Sequence, residues 1–338
     1  MTDSLFTLRN VSYALTSFLL GVWAFMKVNA VSGPAFEPII AACTNPDFAS
    51  AEEFASETGY HVYEPKVGLG AFNVLVCLIT QFLLELRQTY PAGLITWTAV
   101  VIASLPAGVL NITESGRADV KSAHPIRFPI IVGLLYQLIG VSVIFPLVWV
   151  PSFIFGRGKC PISTWRASLI VPLILPGTIL TWLVFNADTN SYLWTVSSGI
   201  LGGPLLTMVS IVLWKDASPS PTKENRISGA VAFQKACKIL IPLGIVMWAT
   251  VILTVFQTYG SVDEMWSSIW TEANASVAFM TIDSGILYVA VMICIAYLDE
   301  YKAMKALLLT PMMGPGAAPL LVLSELEEVK REITEKDD

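Results

Sequence analysis

The chain has 338 residues, of which 54% are hydrophobic and 14% charged, with a mean hydropathy of +0.65. A soluble domain of this length needs far more charge to cover its surface, so the composition is that of an integral membrane protein. A formal net charge of −6, with no basic stripe and no recognition motif, speaks against a nucleic-acid partner.

A hydrocarbon core about 30 Å thick takes roughly 20 apolar residues per helix. Runs of that length predict eight transmembrane helices, near 11–31, 67–85, 93–112, 128–150, 167–185, 193–214, 239–257 and 279–298. The first run is of spanning length with no small-residue cleavage site, so it reads as a signal anchor. Trp149, Tyr192, Trp194, Trp214, Tyr259 and Tyr297 fall near the ends of runs, as an aromatic belt requires. No linker divides the sequence, so the expected fold is all-α, a single multi-pass bundle over 1–338.

Lysine and arginine set the expected orientation. With eight crossings, fifteen of them fall in the N-terminus, the even-numbered connections and the C-terminal tail. The odd-numbered connections hold four, Lys66, Arg117, Lys121 and Arg127. Both termini are therefore expected in the cytosol. Of the two long luminal loops, 32–66 is expected to hold short helices around Pro38–Ala42 and Ala51–Thr58. Loop 258–278 places Trp266 and Trp270 on one helix face, which suits either an interfacial roof helix or a membrane-skimming loop.

Seven prolines interrupt the runs, and each frees a backbone carbonyl that lipid cannot satisfy. Residues 306–323 carry three prolines and two glycines and read as a re-entrant or interfacial segment on the cytosolic side. The tail 324–338 reads as a charged helix fraying into solvent. Asn111-Ile-Thr and Asn274-Ala-Ser are glycosylation sequons on the expected luminal side, Asn111 lying close to the bilayer. The five cysteines are scattered, without the spacing of a zinc or redox motif.

An ionisable residue inside a membrane is costly and is a functional candidate for that reason. Asp283 stands about one turn inside the last run. Either it caps that helix and faces water, or it is a buried acid; burial disfavours the charged form of a carboxyl, as a proton donor near neutral pH needs. Asn111 to Pro125 forms the other candidate region, with Glu114, Arg117, Asp119, Lys121 and His124 between long apolar runs. Such a cluster is either a solvated loop or the mouth of a site. Glu37 and Glu64 flank the first two runs and carry the same ambiguity. Two histidines in separate loops make a poor metal site, and no Walker loop, dinucleotide fingerprint or aspartate-rich diphosphate motif is present.

Several short stretches resemble a known family. Glu114-Ser-Gly-Arg117, Arg127-Phe-Pro, Gly-Leu-Leu-Tyr-Gln137, Phe145-Pro146 and Gly314-Pro-Gly-Ala-Ala318 are similar to fungal integral membrane terpene cyclases of meroterpenoid biosynthesis, the ascochlorin, ascofuranone and macrophorin type. The resemblance implies an acid-initiated isomerase of secondary metabolism, multi-pass in the endoplasmic reticulum, working without metal or cofactor. Its substrate would be a lipophilic prenyl chain on a polar head group, protonated at a terminal epoxide or olefin. On that reading Asp283 suits the acid, while Glu114, with an arginine beside it, suits an anchor or final base. Arg117, Asp119 and Asn111 would orient the donor or head group, with Glu37 and Glu64 behind them. Tyr192, Trp194 and Trp248, with Trp182, are available to stabilise a cation or simply to pack. A transporter of a small lipophilic metabolite and a non-catalytic membrane scaffold are the competing expectations.

Overall fold

The computed structural model describes residues 7–44, 51–59, 70–117, 120, 124–158, 160, 162–183, 222–271 and 274–336. Every regular element among them is helical: α1 (Leu8–Thr44), α2 (Ala51–Thr58), α3 (Gly70–Gln88), α4 (Ala92–Ser115), α5 (Pro129–Ile139), α6 (Val141–Gly156), α7 (Thr164–Ser168), α8 (Ile170–Leu183), α9 (Lys223–Tyr259), α10 (Val262–Thr271), α11 (Ala275–Leu298) and α12 (Glu300–Lys336). By length and apolar composition five helices among the described residues suffice to cross a membrane, α1, α4, α11 and most of α9 and α12. The expected run at 193–214 lies outside the described residues.

α4 and α11 form the centre of the bundle and run parallel. At one end Asn274 Nδ2 donates to Glu85 O (2.8 Å) and Thr89 Oγ1 (2.6 Å), so α11 begins where α4 begins. At the other end Glu114 lies within electrostatic reach of Cys294, so the two helices also finish together. Counting eight crossings makes them antiparallel. The difference is explained by the fourth expected span, 128–150, which does not cross.

That segment is a hairpin. His124, just before α5, packs over Gly156 at the end of α6, leaving no room for a Cβ on the glycine. The turn between the two limbs is Gly140, whose φ of 102° and ψ of 142° suit glycine alone. At the tip its neighbours are Phe279 and Asp283 of α11. The chain therefore enters, reverses beside α11 and leaves on the side it entered. Such non-helical backbone is tolerated at membrane depth only where protein surrounds it.

α6 contains a π turn at Phe145–Trp149, where Val150 N donates to Phe145 O. In a regular helix that proton would go to Pro146 O. The stranded Pro146 carbonyl accepts from the buried Ser17 Oγ at 2.7 Å. The turn also stacks Phe145 on Trp149 (4.7 Å between ring centres) and Trp149 on Phe153 (5.4 Å).

α12 doubles back as well. Lys302 and Lys305 both pair with Glu325, although a straight helix would set Lys302 and Glu325 about 35 Å apart. The reversal is at Gly314, with φ 87° and ψ 165°. Pro315 has no N–H to give Pro311 O, and Trp248 Nε1 fills that carbonyl at 3.1 Å. Both hairpin feet lie at the end shared by Glu114, Tyr297 and the start of α1, where Arg9 Nη2 donates to Tyr297 O.

Three smaller expectations change. α1 continues unbroken to Thr44, taking in the short helix expected at Pro38–Ala42. The tail is ordered helix to Lys336, with Glu327 buried, where a frayed end was expected. Cys43 and Cys77 form a disulfide joining the end of α1 to α3; the pair is 34 residues apart and matches no local motif.

Candidate active site

A cavity of about 1040 Å³ lies between α1, α3, α4, the Gly140 turn, α8 and α11. Its walls are mostly apolar. Phe36, Phe82 and Phe279 meet there edge to face or tilted, with ring centres 5.5 to 6.1 Å apart. Trp97 adds a fourth aromatic side chain and spends its N–H on Thr181 O at 2.7 Å. Half-exposed Phe25, Ile40 and Ile139 stand at the rim.

Asp283 is the buried acid of this cavity, 5% exposed. It stands on the ninth residue of α11, one turn beyond Phe279, and does not cap the helix. Asn274 is the cap, accepting from Val277 N at 3.1 Å. Asp283 Oδ1 accepts from Ser142 N at 3.3 Å, so the first turn of α6 holds the carboxyl in place. The hairpin and the acid are thus one construction: the reversal at Gly140 delivers a helix start to the carboxyl.

Asn111 and Glu37 also line the cavity, Glu37 from an exposed position on α1. Tyr136, on the first limb of the hairpin, stands beside the Asn111 amide. Tyr136 falls within one of the short motifs, and Trp97 and the three phenylalanines carry no signal in the sequence, because facing cannot be read from runs that are apolar all round.

Glu114 and Arg117 are elsewhere. With α4 and α11 parallel, Glu114 lies about 20 Å further along the bundle than Asp283, at about 1.5 Å per residue. They do not face each other across the bundle, as level luminal ends would require. Arg117 instead makes a clasp. Its Nε donates to Glu114 Oε1 (2.8 Å), its Nη1 and Nη2 to Glu327 (3.1 and 2.9 Å), and Nη1 also to Cys160 O (2.7 Å). Ile162 N and Lys330 Nζ complete Glu327 at 2.9 and 3.1 Å. Burial works against the charge on Arg117, but Glu114 and Glu327 outweigh it and leave its pKa raised. The clasp ties the segments after α4 and before α7 to α12, and neither Glu114 nor Arg117 lines the cavity. Trp248 is likewise absent from the lining; it seals the Gly314 turn. Asp119, Glu64, Tyr192 and Trp194 lie outside the described residues.

Both sequon asparagines are engaged. Asn111 faces the cavity, and Asn274 uses its whole amide in capping α11 and bonding to Glu85 and Thr89. No family model, curated protein or solved structure matches the chain.

Proposed function

We propose that the chain is a membrane-bound terpene cyclase in which Asp283 protonates the far end of a prenyl chain held in the cavity. The observation that carries this reading is a single buried carboxyl, positioned by a backbone N–H, in a large apolar chamber with aromatic walls. Protonation of a terminal epoxide oxygen breaks its bond to the more substituted carbon. Successive double bonds close on the resulting cation, and a proton lost from the final cation leaves a product of unchanged mass. The faces of Phe82, Phe279 and Trp97 are placed to favour positive charge along the way. Transport requires a cavity open to each side in turn; this chamber is built on a packed carboxyl and the closed hairpin at Gly140, which suits chemistry in place.

The orientation follows from two expected spans that do not cross, 67–85, since α3 ends on the side where α1 finishes, and the re-entrant 128–150. With 128–150 returning to its own side, Arg117 and Arg127 join Arg9, Arg157, Arg166, Lys302, Lys305, Lys330 and Arg331 at one end, which we assign to the cytosol. The Cys43–Cys77 disulfide joins elements of the other part of the bundle and suits an oxidising lumen, that of the endoplasmic reticulum.

The test is to give microsomes containing the full chain a farnesylated phenol and its terminal epoxide. A cyclic isomer of unchanged mass supports the proposal. Recovery of both compounds unchanged across a panel of head groups, alongside measurable flux, would favour a transporter.

A further inference from the structure

We infer that the chamber fills sideways from the bilayer, through a slot between α1 and the Gly140 hairpin that the missing side chain of Gly33 keeps open. This deepens the cyclase reading and rests on it for the identity of the chain that enters.

α1 gives the chamber two stripes of residues. Val28, Ser32 and Phe36 are turned inward, the first two buried and Phe36 against Phe279 of α11. Phe25, Asn29, Gly33, Glu37 and Ile40 line the chamber too, yet each of them is exposed. A residue that borders a cavity and the surroundings at once marks an opening. Spaced three or four apart, these five share one face of the helix and run about 22 Å along it, at about 1.5 Å per residue. Half-exposed Ile139, at the end of α5, is the facing lip.

The acid stands beside the middle of this slot. α1 and α11 run in opposite directions, with Arg9 at Tyr297 and Phe36 at Phe279. About one turn back from Phe36 and one turn on from Phe279, Gly33 and Asp283 therefore share a level. Gly140, next to Ile139, lies against Asp283 there. The lips beside the acid are thus Ile139 and Gly33. A Cβ on Gly33 would meet nothing within 4 Å. Packing does not require a glycine at this point, and glycine weakens a helix relative to alanine; what it supplies is room in the opening.

Outside the slot lies lipid. The outer surface of α1, a helix of spanning length, carries half-exposed Phe18, Leu19, Trp23 and Met26. The polar side chains of the exposed stripe are Asn29, whose Nδ2 is given to Phe25 O in its own helix, and Glu37 towards the Thr44 end. Such a path suits a long apolar chain already dissolved in the membrane and spares it a passage through water.

The experiment mixes the full chain in detergent micelles with micelles carrying 4-farnesylnitrobenzene, whose nitro group quenches tryptophan fluorescence. Trp97 lines the chamber, so the phase of quenching that Trp97→Phe abolishes reports entry, and its reversal by excess 4-farnesylphenol reports exit. Gly33→Phe is expected to slow entry and exit together, several-fold, with the equilibrium amplitude kept. Gly33→Ala, which tests the backbone change before Pro34, should stay close to the wild-type rates. Gly285→Phe is the control, since Gly285 is also exposed, has open space around it and does not line the chamber. If Gly33→Phe yields no monodisperse protein, Asn29→Phe, one turn along the same stripe, carries the test. Unchanged rates in the blocking variant, equal slowing in Gly285→Phe, a loss of amplitude without slower entry, or no Trp97-dependent phase in wild type overturns the inference. Gated entry without any conversion of the farnesylphenol epoxide leaves the slot standing and removes the cyclase reading; conversion with ungated entry does the reverse.

Discussion

Asp283 and Arg117 are both buried and ionisable, yet only one of them faces open space. Arg117 has its guanidinium enclosed by two carboxylates and a carbonyl; removing it takes the cation from the buried Glu114 and leaves Glu327 with Lys330 and Ile162 N. Arg117→Leu is expected to cost about 3–5 kcal/mol, seen as loss of the monodisperse peak when detergent extracts are run on a sizing column. Asn274→Ala removes a helix cap and two links to α3 and its following turn. It should lower stability by about 1–2 kcal/mol, measured as a drop in the thermal midpoint. Occupancy of Asn274 by glycan would contradict that placement. At this scale the sequence was legible for Asp283, the one acid well inside an apolar run. It was not legible for Glu327, which sits among Glu325 and Glu328 in a tail where nothing local distinguishes the buried acid from its half-buried neighbours.

Elements were harder to read than residues. An apolar run of 23 residues at 128–150 satisfies the length rule for a crossing whether or not it reverses, since both limbs of a buried hairpin are as apolar as a span. Gly140 and Pro146 were the visible signals, and prolines elsewhere in the chain, such as Pro106 within α4, sit in continuous helix. The segment 306–323 announced its break more loudly, with three prolines and two glycines together. Both turns make a prediction. Gly314→Ala places a Cβ 2.6 Å from Trp248 Cγ at a backbone angle that L residues avoid; the variant should unfold at markedly lower temperature, by several degrees. Gly140→Ala strains the turn that carries Ser142 to Asp283. It should impair turnover more than it impairs folding, read as activity per unit of monodisperse protein.

For the whole molecule, the parallel course of α4 and α11 is what the sequence concealed, because the parity of a topology fails if one segment of the count reverses. That reversal, together with α3 ending on the side where α1 finishes so that 67–85 does not cross, brings Arg117 and Arg127 into the basic end. An acceptor sequon inserted within 118–123 should remain unglycosylated, while one inserted within 45–50 should be glycosylated in microsomes. Modification of the first and not the second would contradict the orientation.

The central claim is that Asp283 supplies the proton that starts cyclisation, and the most direct measurement is the single-turnover rate of Asp283→Asn against wild type in nanodiscs, with the farnesylphenol epoxide pre-bound. The account predicts a loss of at least about a hundredfold with binding of the substrate retained. Cyclisation at the wild-type rate in Asp283→Asn would contradict it.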